Sequence, residues 1–303
     1  MKAGRRSGAD PDEVLMPIIS KILVPVAFSA RCEGAAQYAE ALACHFHSEL
    51  TLLHVVAPIP TYWCPDAVVM SPEVTEEAVE QSKAELDRFL GNGLKGMSVA
   101  RVVEEGDPGP EIVEFAHNGN FDLIVMPTHG YGPFRRFLLG SVTAKVLHDA
   151  SCPVWTGPHM ETAPPYPKIS FRKILCAVDL GPHSRTVMDW AWNFAREYGA
   201  DLDLVHAIPA STVSVGGFYF DPEWRTHVMN EARDRMAYLQ EDIRAKGEIL
   251  VETGEVAHVV RGAAEELHSD LVVIGRTHAG GIGRLRANAY AIVREAPCPV
   301  AAI

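Results

Sequence analysis

The chain has 303 residues, 48% of them hydrophobic, and a formal net charge of −12 from 27 basic and 39 acidic side chains. That length accommodates two domains of about 150 residues, each able to bury a core of its own. The acidic balance argues against a general binder of nucleic acid or anionic membrane, and no apolar run approaches the ~18 residues of a membrane span.

Residues 1–17 contain Arg5 and Arg6 but no apolar stretch of the signal-peptide kind, and read as a disordered tail. A first domain is expected over 18–157. It opens with a buried strand over 22–26 and a helix over 30–47, where Ala35, Tyr38, Ala39 and Leu42 fall at helical spacing. A strand over 50–56, a loop with Pro58, Pro60 and Pro65, and a helix over 75–90 follow. Then come a strand over 99–104, a helix over 110–117, a strand over 123–126, a helix over 141–149 and a short strand over 154–156. Residues 158–170 hold four prolines and read as a stiff linker. The second domain, 171–303, repeats the order, with strands near Ile174, Leu202, Ile249, Leu271 and Val300. One of its helices carries the stripe Met229, Ala232, Met236, Leu239 and Ile243. Strands alternating with helices predict parallel sheets covered on both faces, because parallel neighbours need crossover connections.

The two halves say nearly the same thing. Lys21 to Lys173 and His54 to His206 are 152 positions apart, Gly106 to Gly254 and Asp122 to Asp270 are 148, and Cys152 to Cys298 is 146. The second copy has therefore lost four residues before its third strand and two more before its last. A repeat of this period signals duplication of one α/β unit. Six cysteines stand singly at 32, 44, 64, 152, 176 and 298, which favours reduced thiols in a cytoplasmic protein over disulfides or zinc. His45 and His47, two apart, diverge on a helix and read as a solvated helix end, with His54 and His206 at strand ends.

Ligands of open parallel sheets bind outside the carboxyl ends of the strands. There the first copy places 127–132, Pro-Thr-His-Gly-Tyr-Gly, and then Gly140, Ser141, Val142 and Thr143 at the start of a helix. Glycines admit close backbone approach, a helix start offers unpaired N–H groups, and Ser141, Thr143, Arg135 and Arg136 can add donors. The same residues also suit a turn and a helix cap on a solvated surface, so the pattern alone leaves both readings open.

Gly130, nine residues, then Gly140-Ser141, a helix and Cys-Pro-Val together resemble the universal stress protein family. The likeness covers both copies, with support from Phe28-Ser29 after the first strand, from 52–55 and from the Gly106 and Asp122 blocks. The resemblance implies two tandem Rossmann-like domains, each a five-stranded parallel sheet of order 3-2-1-4-5, whose last strands pair. In a tandem chain the strands at Val154 and Val300 would form an intramolecular pseudo-dimer, with homodimerisation through other surfaces left open. It also implies an ATP site in the first copy, with Pro25 and Val55 around the base and Met126 beside it. Gly130, Gly140, Ser141, Val142 and Thr143 would surround the phosphates.

Two positions depart from that family pattern. Ala27 stands where an aspartate often contacts the nucleoside, and Pro127 where the first motif glycine is expected. The second copy has Asp179 and Gly275 at those positions, but its loop is shorter and Arg286-Ala287 replaces Gly-Ser. Loss of nucleotide binding is expected there, over an alternative anion nest of Gly280, Gly281 and Gly283 with Arg276, Arg284 and Arg286. Asp179 is expected to be a helix cap or a nucleoside contact.

The expectation is a cytoplasmic stress-response protein that binds ATP or ADP, with or without magnesium, chiefly in domain 1. Its role would be regulatory and not enzymatic, its partners the nucleotide and an unidentified protein, with no nucleic acid, membrane or resident metal. A tandem stress protein that binds no nucleotide and acts through protein contacts is the alternative, and a slow ATPase a second one. Neither a Gly-x-x-x-x-Gly-Lys-Ser/Thr loop nor a Gly-x-Ser-x-Gly elbow is present.

Overall fold

The computed structural model describes residues 19–57, 72–90, 94, 97–129, 139–158, 160, 163–165, 167–209, 222–276 and 284–303. The expected tail over 1–17, Gly130, Arg135, Arg136, Cys64 and Gly280 to Gly283 lie outside these residues. The first domain runs β1 (Lys21–Pro25), α1 (Ala30–Phe46), β2 (Glu49–Val56), α2 (Pro72–Arg88), β3 (Val99–Glu105), α3 (Pro108–Asn118), β4 (Leu123–Val125), α4 (Ser141–Asp149) and β5 (Val154–Thr156). The second runs β6 (Lys173–Ala177), α5 (Ser184–Tyr198), β7 (Asp201–Ile208), α6 (Pro222–Asp242), β8 (Ile249–Thr253), α7 (Val256–Glu266), β9 (Leu271–Ile274), α8 (Arg284–Glu295) and β10 (Val300–Ala302). Among the described residues no helix is long and apolar enough to cross a membrane.

Among the described residues ten strands form one sheet in the order β3-β2-β1-β4-β5-β10-β9-β6-β7-β8, so each half has the order 3-2-1-4-5. Neighbours within each half are parallel, and the halves join where β5 and β10 pair antiparallel, Trp155 opposite Ala301 and Val154 opposite Ala302. Each domain thus covers the other's open edge, which would otherwise leave a row of unpaired backbone groups.

Side chains alternate across the sheet, so β1 sends Ile22 and Val24 to one face and Leu23 to the other. On the first face they pack with α1, α2, α5 and α6, through Ala39, Leu86, Phe194 and Met236. On the second face Leu23 and Ile124 pack with α3, α4, α7 and α8, through Ile112, Val146, Val260 and Val293. Both layers continue without a break from one domain into the other. Aromatic rings fill the seam: Trp155 lies 5.3 Å from Phe171 and 5.7 Å from Phe194, centroid to centroid. His45, exposed as a helix-end residue should be, nevertheless stacks on Tyr198 of the other domain at 3.8 Å.

The repeated aspartates have a shared structural task. Asp122 Oδ2 accepts from the backbone N–H of Ser20 and Lys21, and Asp270 Oδ2 from those of Arg172 and Lys173, fixing the entry into β1 and β6. The linker is more than a spacer. Met160 is 1% exposed, and its carbonyl lies where a Cβ on Gly34 would meet it at 1.6 Å, so the strap is seated directly on α1.

Candidate functional site

The strand order reverses between β1 and β4, and the crevice beyond their carboxyl ends is the binding place of such sheets. Pro25 ends β1, paired with Leu53; Val55 lies near the end of β2; Met126 follows β4, its N–H donating to the Trp155 carbonyl at 3.0 Å. Val55 and Met126 are buried in the layer that Val142 of α4 packs against. Pro25 faces the same way, two residues on from Leu23. The structure thus brings the expected nucleoside residues and the start of α4 to one side of the sheet.

α4 begins without a side-chain cap, as α3 and α5 also do at Asp107 and His183. Ser29 caps α1 by accepting from the Cys32 N–H, and Glu255 caps α7 by accepting from the Ala257 and His258 N–H groups. α4 has Gly140 at the cap position, with no side-chain cap bond, so its first-turn amides have no acceptor from that source. Gly140 itself is fixed: its N–H donates to the Thr128 carbonyl at 2.9 Å, and a Cβ there would stand 3.2 Å from that oxygen. Ser141 is exposed, as a hydroxyl donor to a ligand must be. Thr143 corrects the expectation. It is 3% exposed and donates to the Pro127 carbonyl at 3.0 Å, so it ties α4 to the loop after β4 and does not face a phosphate through its hydroxyl. Lys145 turns toward the other end of the helix, in an exposed 2.6 Å ion pair with Asp149 that raises its own pKa and lowers that of Asp149.

The turn after β1 holds Phe28 at a positive φ of 51°, and its counterpart Leu180 has φ 58°. The His54 and His206 Nδ1 atoms lie 2.8 and 2.7 Å from the Val26 and Val178 carbonyls. A carbonyl can only accept, so Nδ1 carries the proton in both rings. At Ala27 the backbone N–H is taken by Cys32 Sγ at 3.3 Å, and the side chain offers no polar partner.

The second domain shows the geometry by internal symmetry. A cleft of about 380 Å³ opens there, lined among others by Ala177, Ala207, Ile274, Asn288 and Ala289. These are the repeat partners of Pro25, Val55, Met126, Val142 and Thr143. Asp179 also lines the cleft, but its Oδ1 accepts from the Gly181 N–H and the Ser184 hydroxyl, both at 2.8 Å, so it fixes the turn into α5.

Arg276 follows a course that no spacing in the sequence signalled. It is 8% exposed, and its guanidinium reaches into the first domain, donating to the carbonyls of Leu147, Ala150 and Cys152. Burial pulls its pKa down. Since it is committed to backbone, it is not a member of the alternative anion nest.

Three comparisons bear on this architecture. The sequence model of the Universal stress protein family matches residues 19–156 and again 170–303. Universal stress protein A homolog 1 of Coxiella burnetii is 34% identical over 138 residues, 44% of this chain and 96% of that protein. Universal stress protein Mb2028c of Mycobacterium bovis is 25% identical over 269 residues, 86% of this chain and 88% of that one. A universal stress protein from Archaeoglobus fulgidus shares the fold, with a TM-score of 0.62 at 19% identity over 93% of this chain and 95% of that chain.

Proposed function

The chain belongs to the universal stress protein family, in tandem form, and from that premise we propose that it is a stress-response regulator that binds an adenine nucleotide chiefly in its first domain. The observation that carries this reading is the start of α4, where the cap residue Gly140 offers no side-chain acceptor and Gly140 and Thr143 hold the helix against the strand-end loop. Amides of that kind, at the positive end of a helix dipole, form a ready seat for phosphate. Pro25, Val55 and Met126 supply the apolar wall for a base. Gly130 and Ser141 complete the phosphate contacts that the family motif implies.

Ala27 weakens the nucleoside end, since one missing hydrogen bond costs about 0.5–1.5 kcal/mol. Magnesium, where it accompanies ATP, would come in on the phosphates, because that ion keeps several of its waters and binds mainly through phosphate oxygens and one or two carboxylates. Universal stress proteins have been solved in complex with dAMP, from Archaeoglobus fulgidus, and with cAMP; those ligands belong to those proteins, and the proposal here stands on this chain's own residues. The role we propose is regulatory, with the nucleotide held as a ligand by the base wall and the start of α4.

Calorimetric titration of ATP with magnesium into the purified chain tests the proposal, beside a variant carrying Gly130→Ala and Ser141→Ala. One equivalent bound, lost in the variant, is the expected result. No heat and no thermal shift at millimolar ATP would sink it and favour the second reading, a pseudo-dimer acting through protein contacts, which the unbroken ten-stranded sheet also suits.

A further inference from the structure

α4 is held at both ends by different domains. Its first turn is tied to the loop after β4 of its own domain, and its last turn is gripped from the other. Arg276 Nη1 donates to the carbonyls of Leu147 at 3.4 Å and Ala150 at 3.1 Å, and Nη2 to that of Cys152 at 2.7 Å. Carbonyls in the last turn of a helix have no partner within it, and a cation there also suits the helix dipole. A further bond from the second domain falls on the same helix, from the Tyr290 hydroxyl of α8 to the Ala144 carbonyl at 3.1 Å.

The arrangement runs one way. The repeat partner of Arg276 is Thr128, whose short side chain pairs locally with His129 Nδ1 at 3.0 Å. A buried guanidinium is a poor device for stability alone, because well-packed apolar groups often serve as well or better. Nε of Arg276 has no partner among the described residues, which adds to that burden. What the group supplies is position: it fixes where the rigid helix α4 sits along its own axis. Gly275 and Arg276 also line the second-domain cleft, so the grip originates at the rim of that cleft.

We infer that Arg276 is a positioning residue for the phosphate seat of the first domain, supplied by the second domain through the far end of α4. The inference rests on the reading of that seat as a nucleotide site. It makes affinity for the phosphates, and not for the nucleoside, depend on the second domain, because the base and ribose meet β1, β2 and β4 while the phosphates meet α4.

The test titrates ATP and adenosine into the full chain as wild type, Arg276→Ala and Arg276→Lys. In Arg276→Ala the Kd for ATP should rise about tenfold, the scale of one charge-assisted bond, with adenosine changed less than about twofold and Arg276→Lys recovering part of the loss. Phe171→Leu, a packing change in the same seam, should lower the melting temperature and leave the ratio of the two Kd values intact. Should Arg276→Ala fail to fold, Arg276→Lys and Tyr290→Phe carry the same comparison. Equal weakening of both ligands, or an unchanged Kd for ATP, overturns the inference alone. A wild-type chain that binds neither ligand overturns the reading of the site and the inference with it.

Discussion

Gly140→Asp sets stability and binding against each other. The backbone at Gly140, φ −64° and ψ 146°, is already that of a capping residue, so an aspartate enters without backbone strain. Its carboxylate would accept from the first-turn amides, gaining a few tenths of a kcal/mol over glycine as a cap and about 0.3–1 kcal/mol from the helix dipole. Against this, its Cβ would stand 3.2 Å from the Thr128 carbonyl oxygen, and the loop must yield by a few tenths of an ångström. The two effects nearly cancel, so stability should change by no more than about 1 kcal/mol, a shift of roughly 2–4 °C in Tm. Binding should change far more. The carboxylate occupies the place of a phosphate and takes its donors; two charge-assisted bonds at about 1.5–3 kcal/mol each imply a Kd for ATP raised at least about 100-fold. Differential scanning calorimetry and isothermal titration on the same sample give both numbers. A variant that melts like wild type and binds ATP equally well would refute the assignment of the α4 N-terminus as the phosphate seat.

Other expectations follow from the fold. Phe171, 3% exposed among Trp155, Phe194 and Tyr198, should lose about 3–5 kcal/mol on change to alanine, and because both apolar layers span the seam, calorimetry should show one unfolding transition moving as a whole. Two transitions with one unmoved would contradict a shared core. Gly34→Ala would drive a methyl group into the Met160 carbonyl at 1.6 Å, so the strap must lift; protease cleavage within 158–170 should accelerate at an unchanged fold by circular dichroism. Burial pushes the Cys152 thiol up to about 11 and those of Cys176 and Cys298 up to about 12. Their thiolate fractions at pH 8 are then at most roughly a thousandth, whereas Cys44 is half-exposed, so mass-spectrometric mapping of iodoacetamide should find Cys44 modified well before those three.

Much of this was legible in the chain because it rests on local periodicity read twice. The span of α4 and of β5 matches the expectation residue for residue, and the other first-domain elements differ by a few residues at their ends. Of the stripe, Ala232 and Met236 in α6 and Ile243 just past its end are buried, while Met229 and Leu239 are half-buried against the core. The cleft of the second domain is lined by the repeat partners of the expected first-domain residues, since strand-end positions are fixed once strands are. What misled was residue chemistry without direction. Thr143 is a donor by type, but one helical turn of geometry aims its hydroxyl inward at Pro127. His45 sits at a solvated helix end by pattern and is stacked on another domain by packing.

The sequence by itself determined the two copies, their strands and helices, the apolar faces and the glycine at the head of α4, because each depends on neighbours a few residues away or on matching the other copy. The pairing of β5 with β10 was already implied at Val154 and Val300 by the family resemblance; only the tertiary structure decided the aromatic seam and Arg276 grasping carbonyls 124 to 129 positions away in the chain. Those contacts join residues whose separation leaves no periodic trace. A side chain's partner there is set by where two folded surfaces come together, which no local propensity encodes.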